Sequence, residues 1–205
     1  SSQTNPANTT NGGYIETSGQ TINLLASINA GRGGMWLLDP NDVTIDSATA
    51  GRIVTSLNNG TSVTIQTTAT TPNCDVTCTN ASGNGDISVS SNIITGAMSG
   101  DATLTLQAYR NISFDSGVSI DATQNSNSSK LNVTLSSNNS GLGGTIYFGS
   151  NSSIYSNGGA VIIGGGANPS VGYAVGASSD AVTLRQSKID TGGGSLTING
   201  QASSS

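Results

Sequence analysis

Leu104-Thr-Leu-Gln-Ala-Tyr-Arg-Asn-Ile-Ser-Phe-Asp-Ser-Gly-Val-Ser-Ile-Asp-Ala122 packs three short strands into one stretch, Thr103–Gln107, Asn111–Phe114 and Val118–Asp121. In each, apolar residues alternate with Thr, Ser or Asn, which is the period of a strand with one buried face. The same order returns downstream. Asn132-Val-Thr-Leu135 leads to Gly144-Thr-Ile-Tyr-Phe-Gly-Ser-Asn-Ser-Ser-Ile-Tyr-Ser156, with a longer first corner. Ala160-Val-Ile-Ile163 leads to Ala181-Val-Thr-Leu-Arg-Gln-Ser-Lys-Ile-Asp-Thr191, with an insertion at 164–180. Three strands in a recurring unit of roughly 20–30 residues fit a coil of triangular section that stacks on its neighbours.

Working outward, further strands are expected at Tyr14–Thr17, Thr21–Leu25, Met35–Leu38, Val43–Asp46, Arg52–Ser56, Val63–Thr67, Asp86–Ser90 and Ser195–Ile198. Gly, Asn, Ser and Thr interrupt every window in which a long helix could develop. The chain therefore reads as all-β. In a stacked coil, Val43, Ile45, Val63, Ile65, Ile87, Val89, Leu104, Leu106, Val133, Leu135, Val161, Ile163, Val182, Leu184, Leu196 and Ile198 point inward as apolar columns. A β-sandwich is the competing architecture, because Asn-Gly pairs also suit hairpins and the unit spacing is unequal. Departures from the rhythm at 47–62, 68–85, 123–130 and 164–180 are expected as loops or hairpins that protrude from the rod. Residues 1–12 read as a frayed tail or linker and 13–205 as one segment of a longer rod. The chain opens on Ser-Ser-Gln-Thr, so any export signal is expected elsewhere.

Charged residues make up only 8% of the chain, about a third of the usual share. Recurrent Val, Ile and Leu at period two argue against a disordered linker. The net charge is −5 and the six basic residues are scattered singly, which leaves nucleic-acid binding without an electrostatic footing. No apolar run approaches the eighteen or so residues of a membrane-spanning helix. With no His and only two Cys, Ser-His-Asp and Cys-His catalysis and the usual zinc sites are excluded. No cofactor or metal is expected. Fragments such as Asn84-Gly85-Asp86 lack the repeat of a calcium-binding array. Eight Asn-x-Ser/Thr sequons occur, no more than this composition yields by chance.

Near the N-terminus, Gly12-Gly-Tyr-Ile-Glu-Thr-Ser-Gly19 is followed by Gly33-Gly-Met-Trp-Leu-Leu-Asp-Pro-Asn-Asp-Val-Thr-Ile45. This pair of motifs resembles the filamentous-haemagglutinin-like and high-molecular-weight adhesins, which are exported by two-partner secretion. The resemblance is tight over 13–46 and is one of style beyond. It implies a right-handed parallel β-helix (a β-solenoid) of about three short strands per coil, with protruding loops. It further implies a non-enzymatic segment of a large secreted adhesin at the bacterial cell surface. Such a protein leaves through a dedicated outer-membrane transporter and attaches to host-cell or matrix glycans or proteins, or to biofilm. Relatives among the high-molecular-weight adhesins are glycosylated at sequons like those above. Two other readings compete: a β-helical polysaccharide-degrading enzyme, and the stalk of a contact-dependent toxin.

Candidate functional residues are few. Tyr147 lies between Ile146 and Phe148, and Tyr155 follows Ile154, so period two turns both rings outward if their neighbours are core. Outward tyrosines can stack on sugar rings or form a cross-coil ladder. Tyr173, in the Gly-rich insertion, is the third ligand-binding candidate. Trp36, between Met35 and Leu37, is expected in the core or packed at a coil end. Asp39-Pro40-Asn41-Asp42 reads as a turn in which Asp39 bonds nearby backbone N–H groups, in preference to a catalytic carboxylate pair. Cys74 and Cys78 lie too far apart in an extended strand to bridge, so the disulfide expected of a secreted protein requires a tight loop there.

Overall fold

The computed structural model describes residues 12–19, 22, 26–68, 84–176 and 180–202. Most of the structure is β, with a single helix among the described residues, and that helix is too short to span a membrane. Seven strands form one sheet: β1 (Tyr14–Ser18), β2 (Met35–Asp39), β4 (Ser62–Gln66), β7 (Ala102–Gln107), β10 (Leu131–Ser137), β13 (Val161–Gly165) and β17 (Leu196–Ile198), in that spatial order. A second sheet is ordered β3 (Val43–Ile45), β5 (Ile87–Val89), β8 (Ile112–Phe114), β11 (Ile146–Phe148), β15 (Val182–Leu184). A third runs β6 (Ile93–Ile94), β9 (Ser119–Asp121), β12 (Ser153–Tyr155), β16 (Lys188–Asp190). A pair, β14 (Ala174–Gly176) and β18 (Gly200–Ala202), stands apart. Every pairing between these strands is parallel. From β4 onward, apart from a detour through β14 after β13, the chain visits the first, second and third sheets in turn, then returns to the first beside its previous strand.

Registers align like with like. Val63, Leu104, Val133 and Val161 are successive partners, as are Ile65, Leu106, Leu135 and Ile163, and all eight are buried. In the second sheet Ile45, Val89, Phe114 and Phe148 form one buried column, and the two Phe rings stack at 4.6 Å with planes 5° apart. A side chain in such a column meets its own kind about 4.8 Å above and below, so the core is built from like shapes.

The corner between the first and second sheets is tied by a ladder of side chains. Asp42 Oδ1 accepts the N–H of Asp86 at 2.8 Å, Asp86 Oδ1 accepts that of Asn111 at 3.0 Å, and Asn111 Oδ1 accepts that of Thr145 at 2.9 Å. These four residues each precede the first inward residue of a second-sheet strand. Each short side chain thereby satisfies a corner amide one turn along, which would otherwise lack a partner at the edge of the strand. Arg110 adds a two-pronged ion pair to Asp86, with Nε at 2.9 Å from Oδ1. Asp42, not Asp39, therefore does the backbone bonding expected of Asp39-Pro40-Asn41-Asp42. Asp39 ends β2 with its Oδ1 buried and unpartnered, and burial followed by the nearby Glu16 pushes its carboxyl above the ordinary range.

The paired motifs of residues 12–19 and 33–45 become neighbouring strands, with Tyr14 opposite Met35 and Ser18 opposite Asp39. Their double glycines meet: a Cβ on Gly12 would lie 2.0 Å from Gly34 N, and Gly13 O accepts the N–H of Met35 at 2.9 Å. Only glycine permits that approach. Glu16 accepts the hydroxyls of Tyr14 and Ser18 along the exposed face. Trp36 is fully buried, as expected, and its indole N–H donates to Thr17 Oγ1 at 3.3 Å.

Three expectations fail. First, the loop expected at 47–62, with a strand at Arg52–Ser56, is α1 (Ser47–Asn58) followed by β4. Asp46 caps the helix by accepting the N–H of Thr49 at 2.8 Å, and Ala50, Ile53, Ser56 and Leu57 face the core. The helix occupies the interval between β3 and β4 where a third-sheet strand would fall, and it packs beside the edge strand β6. Covering that edge removes a row of open backbone groups. Second, Leu184, Leu196 and Ile198 are in register with buried partners yet exposed themselves, because β15 and β17 are the last strands of their sheets and nothing described lies beyond them. Third, the insertion at 164–180 is neither all loop nor a hairpin: β13 extends to Gly165, and β14 pairs in parallel with the distant β18. The expected strand Thr21–Leu25 apart from Ile22, most of the tail at 1–12 and nearly all of the stretch 68–85 lie outside the described residues.

Candidate functional site

The three candidate tyrosines sit on three different parts of the surface. Tyr147 is central in β11 on the second sheet, 37% exposed, between its buried neighbours Ile146 and Phe148. Its register partners are Ser113 and Thr183, and the Arg185 guanidinium lies 5.7 Å from its ring centroid. Tyr155 ends β12 on the third sheet, half-buried, with Asp121 and Asp190 as register partners. The Lys188 ammonium sits 5.1 Å from its ring and also pairs with Asp190 at 3.1 Å. The hydrogen bond to Asp190, together with that carboxylate's charge, raises the Lys188 ammonium above its ordinary range. Both tyrosines thus carry a cation from the following turn over the ring, an arrangement worth about 0.5–1 kcal/mol at exposed sites. The ring faces are partly covered by protein.

Tyr173 differs. It precedes β14, is 50% exposed, and lines a cleft of about 300 Å³ together with Asn138, Asn139, Gly141, Gly166 and Gln201. The chain builds this cleft from three segments. The turn after β10 supplies Asn138, which takes a left-handed φ of 57° and accepts the N–H of Gly143 at 2.7 Å. Asn139 is fixed as a wall: its Oδ1 accepts Gln107 Nε2 at 2.9 Å and its Nδ2 donates to the Ala108 carbonyl at 3.0 Å. Gly144 and Val175 exchange backbone hydrogen bonds at 2.9 and 2.8 Å, which locks the turn after β10 against β14. β18 then places Gln201 opposite Val175.

The sequence reading names Tyr173 but none of the other residues that line the cleft. Ser137-Asn-Asn-Ser-Gly-Leu-Gly-Gly144 looked like an ordinary corner, and nothing local linked it to Gln201. Cys74 and Cys78 lie outside the described residues. Among the described residues, no three His, Cys, Asp or Glu side chains gather as metal ligands would. Compared with known proteins, the chain matches no family model, no curated relative and no solved structure.

Proposed function

We propose that this chain is a non-enzymatic segment of a large secreted bacterial surface adhesin, wound as a right-handed parallel β-helix with three short strands to the coil. Cyclic passage through three parallel sheets, with like residues in register, supports the winding. The hand follows from the rule that parallel crossovers are right-handed in roughly 98% of cases. The resemblance of residues 13–46 to the filamentous-haemagglutinin-like adhesins supports the family reading, the place at the cell surface and export through an outer-membrane transporter.

The observation that carries the function is the half-exposed ring of Tyr173 in a cleft built by turns on a rigid stack of sheets. Binding residues on loops held by a scaffold are the usual arrangement for recognition. The segment mediates or supports attachment to host-cell or matrix glycans or proteins, or to biofilm, with Tyr147, Tyr155 and Tyr173 as the candidate contacts. The test is an array of glycans and matrix proteins probed with the wild-type chain and with Tyr147→Ala, Tyr155→Ala and Tyr173→Ala. Retention of at least one array component, weakened by one of the three substitutions, is expected. Retention of none, or release of new sugar ends from a polysaccharide panel, would overturn the reading.

A further inference from the structure

We infer that the Tyr173 cleft recognises an uncharged sugar ring, stacked on the tyrosine and bonded through amide and backbone groups. The inference rests on the adhesin reading and narrows it to one site and one ligand class.

The lining residues decide the class. Asn138, Asn139, Gly141, Gly165, Gly166, Gly172, Tyr173, Val175 and Gln201 include no Arg, Lys, Asp or Glu. A carboxylated or sulfated sugar would therefore find no cation in the lining to answer its charge. A neutral pyranose offers what the cleft can answer: an apolar C–H face for the ring and hydroxyls for amides and carbonyls. The volume, about 300 Å³, sits at the lower end for ligand clefts and suits about one or two rings. A Cβ built on Gly141 or Gly166 meets nothing within 4 Å, so both glycines open the site for a flat ligand. The neighbouring loop tips carry the most exposed apolar side chains among the described residues, Leu142 at 86% and Val171 at 68%. Each is next in sequence to a lining residue, Gly141 or Gly172. Tyr147 and Tyr155, by contrast, already hold a cation against the ring.

The experiment is a titration of the whole chain by amide NMR with neutral oligosaccharides ending in glucose, galactose or mannose. Sialylated and sulfated counterparts and a set of matrix proteins run in parallel. Expected is binding of at least one neutral glycan that shifts the Gly141 and Gly166 amides, weakens tenfold or more in Tyr173→Ala, survives in Tyr173→Phe, and holds constant between 0.05 and 0.5 M salt. A Debye length of about 10 Å at 0.1 M makes salt dependence the signature of charge recognition. Binding confined to acidic glycans, to proteins, or unchanged in Tyr173→Ala overturns this inference and leaves the adhesin reading standing. Binding to nothing overturns both. A thermal melt of Tyr173→Ala matching the wild type, expected for a half-exposed side chain, separates lost contact from lost fold.

Discussion

At the scale of single residues, the corner ladder links sequence to stability most directly. Burial pushes the Asp86 carboxyl up, but the Arg110 guanidinium and the Asn111 amide outweigh it and hold the group below the ordinary range. A carboxyl depressed in the fold stabilises it above the unfolded pKa of about 3.9, and that contribution is lost as pH falls through the lower folded value. Asp86→Ala is expected to cost about 1–2 kcal/mol near neutral pH, reduced from the full charge-assisted value because the pair is partly exposed. Urea melts at pH 7 and pH 2.5 check this: the penalty should shrink in acid. A second residue is strained instead. Gly117, Asn151 and Gln186 all take left-handed φ, at 77°, 62° and 48°, and the N–H groups of Gly117 and Asn151 bond to the carbonyls of Ser150 and Arg185. They mark one corner position on three turns. Glycine and asparagine tolerate that conformation, whereas a glutamine pays about 1 kcal/mol. Gln186→Gly should raise the midpoint of thermal unfolding by a few degrees, and a fall would refute the strain. Sequence reading placed Asn and Gly at corners for this reason. It could not see Gln186 as their equivalent, because glutamine carries no turn signal.

At the scale of elements, the strands were legible and the helix was not. Period-two runs such as Leu104-Thr-Leu106 and Val133-Thr-Leu135 became buried columns because alternation is a local property of the backbone. The helix was overlooked because Thr49, Gly51 and Thr55 are weak helix formers, Ser56 interrupts its buried face, and Ile53-Val54 resembles a strand. The signal was present: Asp46 as a cap, then Ala50, Ile53 and Leu57 on one face. Aligned second-sheet strands also expose a repeat that a linear reading missed: Asp42-Val-Thr-Ile45, Asp86-Ile-Ser-Val89, Asn111-Ile-Ser-Phe114 and Thr145-Ile-Tyr-Phe148. Ladder contacts between them span 44, 25 and 34 residues, so no fixed period reveals them. The Tyr173 cleft was half legible for the same reason: its walls belong to different turns. A weakly helical segment should depend on its cap. Asp46→Ala is expected to cost about 1 kcal/mol, read as a shift in the urea midpoint with an unchanged slope, and Asp46→Asn to recover most of it.

At the scale of the whole molecule, the two edges of the parallel sheets are built differently. At one edge, α1 packs beside β6 and the Gly12–Gly34 contact closes β1 onto β2. At the other, β15 and β17 leave Leu184, Leu196 and Ile198 uncovered, with Leu196 46% exposed, although each continues a buried column. If stability is a sum of turns and the contacts between them, the same substitution must cost different amounts along one column. Leu135 is fully buried between the strands of Leu106 and Ile163, so Leu135→Ala removes contacts on both sides and leaves a cavity, at about 2–5 kcal/mol. Leu196 has a partner strand on one side alone among the described residues, so Leu196→Ala should cost less than about 1 kcal/mol. Matched urea melts give the comparison. Equal penalties at the two positions would mean that the terminal turn is covered in solution, by another copy of the chain or by residues beyond those described. Light scattering across a dilution series then tells these apart, since only association between copies depends on concentration.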